Sequence, residues 1–356
     1  MAYTTIDDAS LFFNTVLYTG NGSTNAITGA GFQPAFTWIK RRNGVKGHKL
    51  FDSPRGVTKI VQSSANSAEE TNATSLTAFD ADGFTLGAST ATNESGDTYA
   101  SWNWKAGTST GLDFSAGDIT PSAYSVNTTS GIGIYKYTGD GTVGGDTVAH
   151  NLGATPKLLI VKQLTDAYSW AVQHSSLAND QILNLDTTVA ASSNDAFHNT
   201  YPTSTLITLG SSTYTNAVAG TKQYVMYAFA PKQGYSCFTS YVGNGNVDGP
   251  YVPLGFKPAW LMIKETDSTS GWCMYDNKRP IASPGPGWYN VNQDFLQAND
   301  TGGESDNSNL ALDFLSNGFK IRNSAGDTNG AGNSYIVMAF AEDPCVNSEG
   351  AANNAQ

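Results

Sequence analysis

The sequence predicts an all-β protein of three tandem β-sandwich units, jelly-roll-like in size, with loops rich in Gly, Asn and Ser. Three observations carry that prediction. One strand-like segment occurs three times, as Pro34-Ala35-Phe36-Thr37-Trp38-Ile39-Lys40, Pro156-Lys157-Leu158-Leu159-Ile160-Val161-Lys162 and Pro258-Ala259-Trp260-Leu261-Met262-Ile263-Lys264. Each runs from Pro to Lys over the same span and is mainly apolar between, and a fixed spacing written three times marks a repeat. Charged residues make up only 14%, against about a quarter in a typical globular domain. The polar share comes instead from Ser, Thr, Asn and 37 Gly, the make-up of short strands joined by many turns.

At 356 residues the chain is long for one compact core and suits two or three domains. Residues 1–16 precede the first repeat and read as an N-terminal arm. Thr4 or Thr5 would cap a short helix running through Asp7 and Asp8 to Phe13. Such an arm either packs on its own domain or inserts Phe12 and Phe13 into a neighbouring subunit.

Each repeat then opens on an aromatic residue and a glycine turn: Tyr18-Thr19-Gly20-Asn21-Gly22, Tyr137-Thr138-Gly139-Asp140-Gly141 and Tyr241-Val242-Gly243-Asn244-Gly245. Asn-Gly and Asp-Gly reach positive φ cheaply and close tight turns. The proline strand follows, since Pro is tolerated at the first position of a strand. Eight residues past each Lys stand His48, Trp170 and Trp272, opening a second strand that ends at Asp52, His174 and Asp276. The two strands read as a hairpin, and Arg55 and Arg279 follow in the first and third copies only.

After a variable polar stretch come Asp82-Gly83-Phe84 and Asn317-Gly318-Phe319; the second copy has Ser204-Thr205-Leu206 and lacks the glycine. The closing strands are Tyr99 to Trp104, Tyr224 to Phe229 and Tyr335 to Phe340. Large apolar residues stand three and five positions after each Tyr, on one face of a strand of period two, and are core candidates. The units so defined are 17–106, 135–231 and 232–344, with 107–134 a linker and 345–356 a flexible tail.

The net charge of −11 and pI of about 4.7 argue against a nucleic-acid partner, which needs a basic face. The basic cluster Lys40-Arg41-Arg42 reads as a strand end in solvent. Met1-Ala2-Tyr3 opens no signal-peptide pattern, and no run approaches the ~18 apolar residues of a membrane span. The expected site of synthesis and assembly is a cytoplasm, without membrane insertion.

Candidate chemistry is sparse. Asp52 and Asp276 invite a glycosidase-like carboxylate pair, but they belong to different repeats. They read better as turn residues pairing with the Arg three positions on. Asp80-Ala81-Asp82-Gly83, and Asp140-Gly141 with Asp146, lack the full calcium-loop spacing. No metal, cofactor or catalytic residue is assigned, and no strand–G-x-S-x-G–helix elbow is recognised. Cys237, Cys273 and Cys345 are too few for a disulfide framework, although a Cys237–Cys345 bridge around the third repeat is conceivable. Trp272, Trp288 and Tyr289 suit an aromatic edge that stacks on sugars, with core packing as the other reading.

The opening Met1-Ala2-Tyr3-Thr4-Thr5-Ile6-Asp7-Asp8, the Tyr18 to Gly22 turn, the Gly-Phe-x-Pro…Ile-Lys strand, Phe51-Asp52-Ser53-Pro54-Arg55-Gly56 and the Tyr335 to Phe340 strand together resemble structural proteins of tailed bacteriophages, especially marine and cyanobacterial ones. The resemblance implies a non-enzymatic virion-surface protein, either a tail-fibre or appendage subunit or a capsid decoration. Its partners would be other virion proteins and a host surface glycan. A carbohydrate-binding module and, further off, a polysaccharide depolymerase are the alternatives. Such proteins are often homotrimers, and three repeats in one chain also allow a monomer with internal threefold packing.

Overall fold

The computed structural model describes residues 3–217, 221–279 and 290–352. Among these the chain is nearly all β and every strand pairing is antiparallel, with helix confined to three short 3-10 turns and one turn of α-helix at Gly326–Asn329. No described helix is long and apolar enough to cross a membrane.

Three large sheets organise the chain. The first runs, in spatial order, Phe13–Thr19, Thr98–Trp104, Phe36–Arg41 and Lys49–Asp52. The second runs Ala123–Asn127, Ile132–Thr138, Gln223–Phe229, Leu158–Gln163 and Ala171–His174. The third runs Ser236–Val242, Ser334–Pro344, Phe256–Glu265, Cys273–Asp276, Asp294–Gln297 and Ser305–Asp306. In each, the closing strand lies between the opening strand and the proline strand. The register matches too: Trp38 faces Trp102, Ile160 faces Tyr227 and Met262 faces Met338. The hairpin expected after each proline strand forms in all three, pairing Trp38 with Leu50, Ile160 with Val172 and Met262 with Met274.

Alternation gives each sheet two apolar faces. One face is covered by a small sheet: Ile27, Phe84 and Leu86 pack on Ile39, Phe51 and Tyr99 in the first, and Val148, Ile207 and Leu209 pack on Leu159, Val161 and Met226 in the second. The other faces of all three sheets meet in one central core. There Phe36 lies 4.5 Å from Tyr227, Trp104 5.7 Å from Trp260, and Phe229 6.0 Å from Phe340, centroid to centroid. Each such side chain contributes roughly 1.5–3 kcal/mol by leaving water.

Local chemistry explains where the sheets differ. Gly83 and Gly318 have φ of +142° and +151°, and a Cβ there would sit 2.0 and 2.1 Å from the Ile27 and Val252 carbonyl oxygens. Both glycines end tight hairpins within three-stranded small sheets. The second small sheet has only two strands and no such hairpin, which is why Leu206 stands there without strain. In the third sheet Pro258 lies within the strand, and the pairing register shifts on both sides of it, because proline has no N–H to give the ladder.

Several expectations need correction. Asp8, not Thr4 or Thr5, caps the first turn, a 3-10 helix of only Ala9–Leu11. The arm ends sooner than position 16, because Phe13 already opens a sheet strand. Phe13 is 2% exposed and stacks on Phe340 at 5.2 Å, while Phe12 is half-buried against Tyr235. Phe13 is thus core of its own chain, and Phe12 packs on that chain with part of its ring exposed, as in an arm packed on its own domain. The stretch 107–134 is no plain linker, since Ala123–Asn127 pairs with Ile132–Thr138 as an edge of the second sheet. In the tail, Val346 bridges to Ala352 and Ser348 donates to the Asp7 carboxylate, both by N–H and by hydroxyl. The three cysteines are free thiols, so Cys237 and Cys345 do not pair.

Candidate functional site

The polar residues singled out by their recurrence converge on the junctions between sheets. Lys40, Lys162 and Lys264 are buried, and each ammonium donates to the carbonyl of its following residue, Arg41, Gln163 and Glu265. Each also reaches into another sheet's territory. Lys40 donates to the Thr301 carbonyl, Lys162 to that of Asn66 and Lys264 to that of Thr188, all at 3.2 Å. Burial pushes all three down to about 8, so they remain largely cationic at neutral pH. The strand-end cluster was expected in solvent; instead Lys40 is buried and Arg42 pairs with Glu304 at 2.5 Å.

The ring at the head of each second strand follows the same direction. His48 Nε2 meets the Gln297 carbonyl at 3.0 Å, Trp170 donates to the Gln62 carbonyl at 2.9 Å and Trp272 to the Asn184 carbonyl at 3.0 Å. The first sheet bonds to the third, the second to the first and the third to the second. Trp272 is 2% exposed, so it is a junction residue and no sugar platform. Trp288 and Tyr289 lie outside the described residues.

The third set is Asp52, His174 and Asp276. Asp52 and Arg55 form a fully buried ion pair at 2.6 Å, with Glu69 also on the guanidinium and the Tyr227 hydroxyl donating to Asp52 at 2.7 Å. Asp276, Arg279 and Glu304 repeat the arrangement, with the Trp102 indole donating to Asp276 at 2.9 Å. The carboxylates hold both guanidinium groups above their ordinary pKa despite burial. The local Asp–Arg turn expected from sequence is present, but it also binds a second sheet. At the remaining junction the cluster is replaced as a whole. His174 stands where Asp does, Leu177 where Arg does and Ala191 where Glu does, with Met338 in the donor's place. Burial holds the His174 ring down to about 4, and its Nδ1 accepts from the Ser176 N–H at 3.1 Å.

A fourth set fixes the glycine turns. Tyr18, Tyr137 and Tyr241 stack on Tyr99, Tyr224 and Tyr335 at 5.0, 5.2 and 4.8 Å. Their hydroxyls donate to the carbonyls of Thr92, Thr215 and Thr328. The next residue is in each case a fully buried asparagine, Asn93, Asn216 or Asn329, whose side chain accepts from the turn N–H of Asn21, Asp140 or Asn244. Sequence reasoning missed these asparagines. A Thr-Asn pair ahead of each closing Tyr was the available signal.

In the second turn Asn216 also donates to Asp146 at 2.6 Å. Burial, and then the neighbouring Asp140, raise Asp146 to about 6. Its counterpart in the first sheet is Asn25, paired with Leu86 as Asp146 is with Leu209. Because its folded-state pKa is raised, Asp146 contributes stability at low pH that is lost as pH climbs from about 4 to about 6. Asp146→Asn should therefore stabilise the protein at pH 7 and flatten its stability between pH 4 and 6, as read by denaturant melts.

The other acidic turn, Asp80 to Gly83, spends its carboxylates internally, Asp82 on the N–H groups of Gly29 and Gly31 and Asp80 on the Thr85 hydroxyl. Among the described residues no three His, Cys, Asp or Glu gather as metal ligands. The letters G-x-S-x-G do occur, at Gly107-Thr108-Ser109-Thr110-Gly111. No helix follows them, and Thr108 bridges to Val126 instead, so the segment is no nucleophile elbow.

Two grooves open at the proline ends of the strands. The larger, about 620 Å³, lies beside Gln33, Pro34, Phe79, Lys105, Tyr124 and Ser125. The smaller, about 210 Å³, lies beside Pro156, Lys157, Ser175 and Tyr201. Pro34 and Pro156 occupy the same place in their sheets, as do Ser53, which lines the larger groove, and Ser175.

Comparison with known families gives one match: the model of a domain of unknown function, DUF7483, fits residues 8–344. No curated protein and no solved structure matches the chain significantly.

Proposed function

The chain belongs to the DUF7483 domain family, and we propose that it is a non-enzymatic structural protein of a bacteriophage virion surface. It would be a tail-fibre or appendage subunit or a capsid decoration, in which three tandem β-sandwich units form a stiff frame. The observation that carries this reading is the directional set of inter-sheet bonds. Lys40, Lys162 and Lys264, together with His48, Trp170 and Trp272, each hold the preceding unit in a closed ring. Of the side chains that would serve catalysis, Asp52, Asp276 and His48 are spent on bonds between sheets, and all three lie buried together with His174. What remains outside is a set of polar loops on a rigid support, which suits particle attachment and host contact. The resemblance of the opening segment and recurrent strands to tailed-phage structural proteins supports the virion as its location.

Because each unit's junction is filled by another unit of the same chain, the ring favours a monomer with internal threefold packing over a homotrimer. Imaging of particles with and without the gene product tests the reading. Loss of a discrete surface feature is expected, and an unchanged particle lacking the protein would overturn it. A second reading, a carbohydrate-binding module for host adsorption, is favoured by the two grooves at the proline ends. Release of reducing ends from a host polysaccharide would instead identify a depolymerase.

A further inference from the structure

The larger groove has a chemistry unlike the rest of the surface. In a chain of net charge −11, no carboxylate among the described residues lines it, and Lys105 does. The Lys105 ammonium lies 5.6 Å from the centre of the Phe12 ring and has no ion-pair partner among the described residues. Ser125, 2% exposed, lines the same groove. Ser53, Ser109 and Ser122 add further hydroxyls, and the half-buried Phe79 and Tyr124 supply flat apolar walls. The smaller groove repeats the pattern in the second unit: Lys157 without an ion-pair partner among the described residues, Ser175, a 41% exposed Tyr201, and again no carboxylate.

We propose that these two grooves bind an acidic saccharide of the uronate type. A sugar ring presents one apolar face suited to an aromatic wall and a rim of hydroxyls suited to serine and glutamine partners. Its single carboxylate matches the single lysine in each groove. One ammonium is too little charge for a polyphosphate, which calls for a clamp of cations or N–H groups. The larger groove falls in the usual range for ligand pockets of about 300–1,000 Å³, and the smaller takes a single ring. Two such sites on one rigid frame would engage a repeating polymer together, gaining avidity without new contacts. The net negative charge of the protein works against long-range attraction, so binding should be moderate, with salt screening both that repulsion and the contact to lysine.

This deepens the host-contact reading and fails separately from it, since a protein found on particles that retains no uronate sinks this inference alone. The test is calorimetric titration of the full chain with oligogalacturonate, oligomannuronate and oligoglucuronate, and with the methyl ester of whichever binds. The expected result is binding of at least one acid and at least tenfold weaker binding of its ester. Lys105→Met together with Lys157→Met should bring the acid down towards the ester, and Ser125→Val should weaken binding in the larger groove severalfold, with near-UV dichroism unchanged in both variants. Asp146→Asn, remote from both grooves, should leave binding intact. Failure of every acid to bind overturns the proposal, as does equal binding of acid and ester, or wild-type affinity in the variant lacking both lysines.

Discussion

Arg279→Leu is expected to destabilise the protein by about 3–5 kcal/mol, because removing one partner of a buried ion pair strands the other. Arg279 is fully buried and donates to Asp276, to the Met274 carbonyl at 3.0 Å and towards Glu304 at 3.5 Å. Without it, Asp276 keeps only neutral donors, among them the Trp102 indole and the Arg279 main-chain N–H. The chain itself contains the control. Its third junction carries His174, Leu177, Ala191 and Met338 at the positions of Asp276, Arg279, Glu304 and Trp102. Making all four replacements together, Asp276→His, Arg279→Leu, Glu304→Ala and Trp102→Met, should recover part of the loss of the single variant, offset by the loss of the Glu304 partner of Arg42 and by the smaller side chain in place of Trp102. A satisfied polar network and an apolar substitute are both stable, and a partly dismantled network is worse than either. Chemical denaturation of wild type, single and quadruple variants measures this. A quadruple variant less stable than Arg279→Leu would show that the two kinds of junction are not interchangeable.

Much of this arrangement was legible in the sequence as recurrence, and little of it as contact. The Pro-to-Lys strand, the hairpin after it and the large residues three and five positions past each closing Tyr follow from period and spacing, which are local properties. The Lys was visible three times, but its acceptors Thr301, Asn66 and Thr188 lie in loops beside other sheets at sequence distances with no common rule. A lysine at a strand end also reads as solvated by default, since its charge is costly to bury unless carbonyls are waiting. Trp272 carries two readings in the sequence, a sugar-stacking edge and core packing, and the second holds: its indole is buried against the Asn184 carbonyl. The strand at Ala123–Asn127 was missed because it has no counterpart in the other two large sheets, and recurrence cannot reveal an element used once. The replaced cluster was half visible: His174 in place of Asp was noted, but Glu69, Glu304 and Ala191 fall in the variable stretch and only the structure aligns them.

The buried lysines make a second strong prediction, on the alkaline side. Lys40, Lys162 and Lys264 each fall to about 8 in the folded protein from 10.5 in the open chain, because burial disfavours the ammonium. Between those values the unfolded chain binds more protons than the folded one, so unfolding free energy rises with pH. Below about pH 8 the cost of charging the three groups is present in full, and it is relieved as they deprotonate. The relief is bounded by roughly 1.4 kcal/mol per pH unit per group, so three groups acting together amount to several kcal/mol. Near pH 10 a counter-effect sets in: Tyr18, Tyr137 and Tyr241 are raised well above 10 by burial, so the unfolded chain loses phenolic protons that the folded one keeps. Stability should therefore peak between about pH 9 and 10, where many proteins are already weakening. Lys162→Met tests the assignment at one site. It leaves the carbonyls of Asn66, Gln163 and Tyr168 without this donor, a cost of about 1–3 kcal/mol that offsets the relief from the buried charge at pH 7. It should also reduce the alkaline rise by about a third, which a lysine held only by surface contacts would not do. Melting curves from pH 6 to 10.5 that show no rise between 8 and 9.5 would mean that the carbonyl acceptors keep these ammonium groups charged throughout.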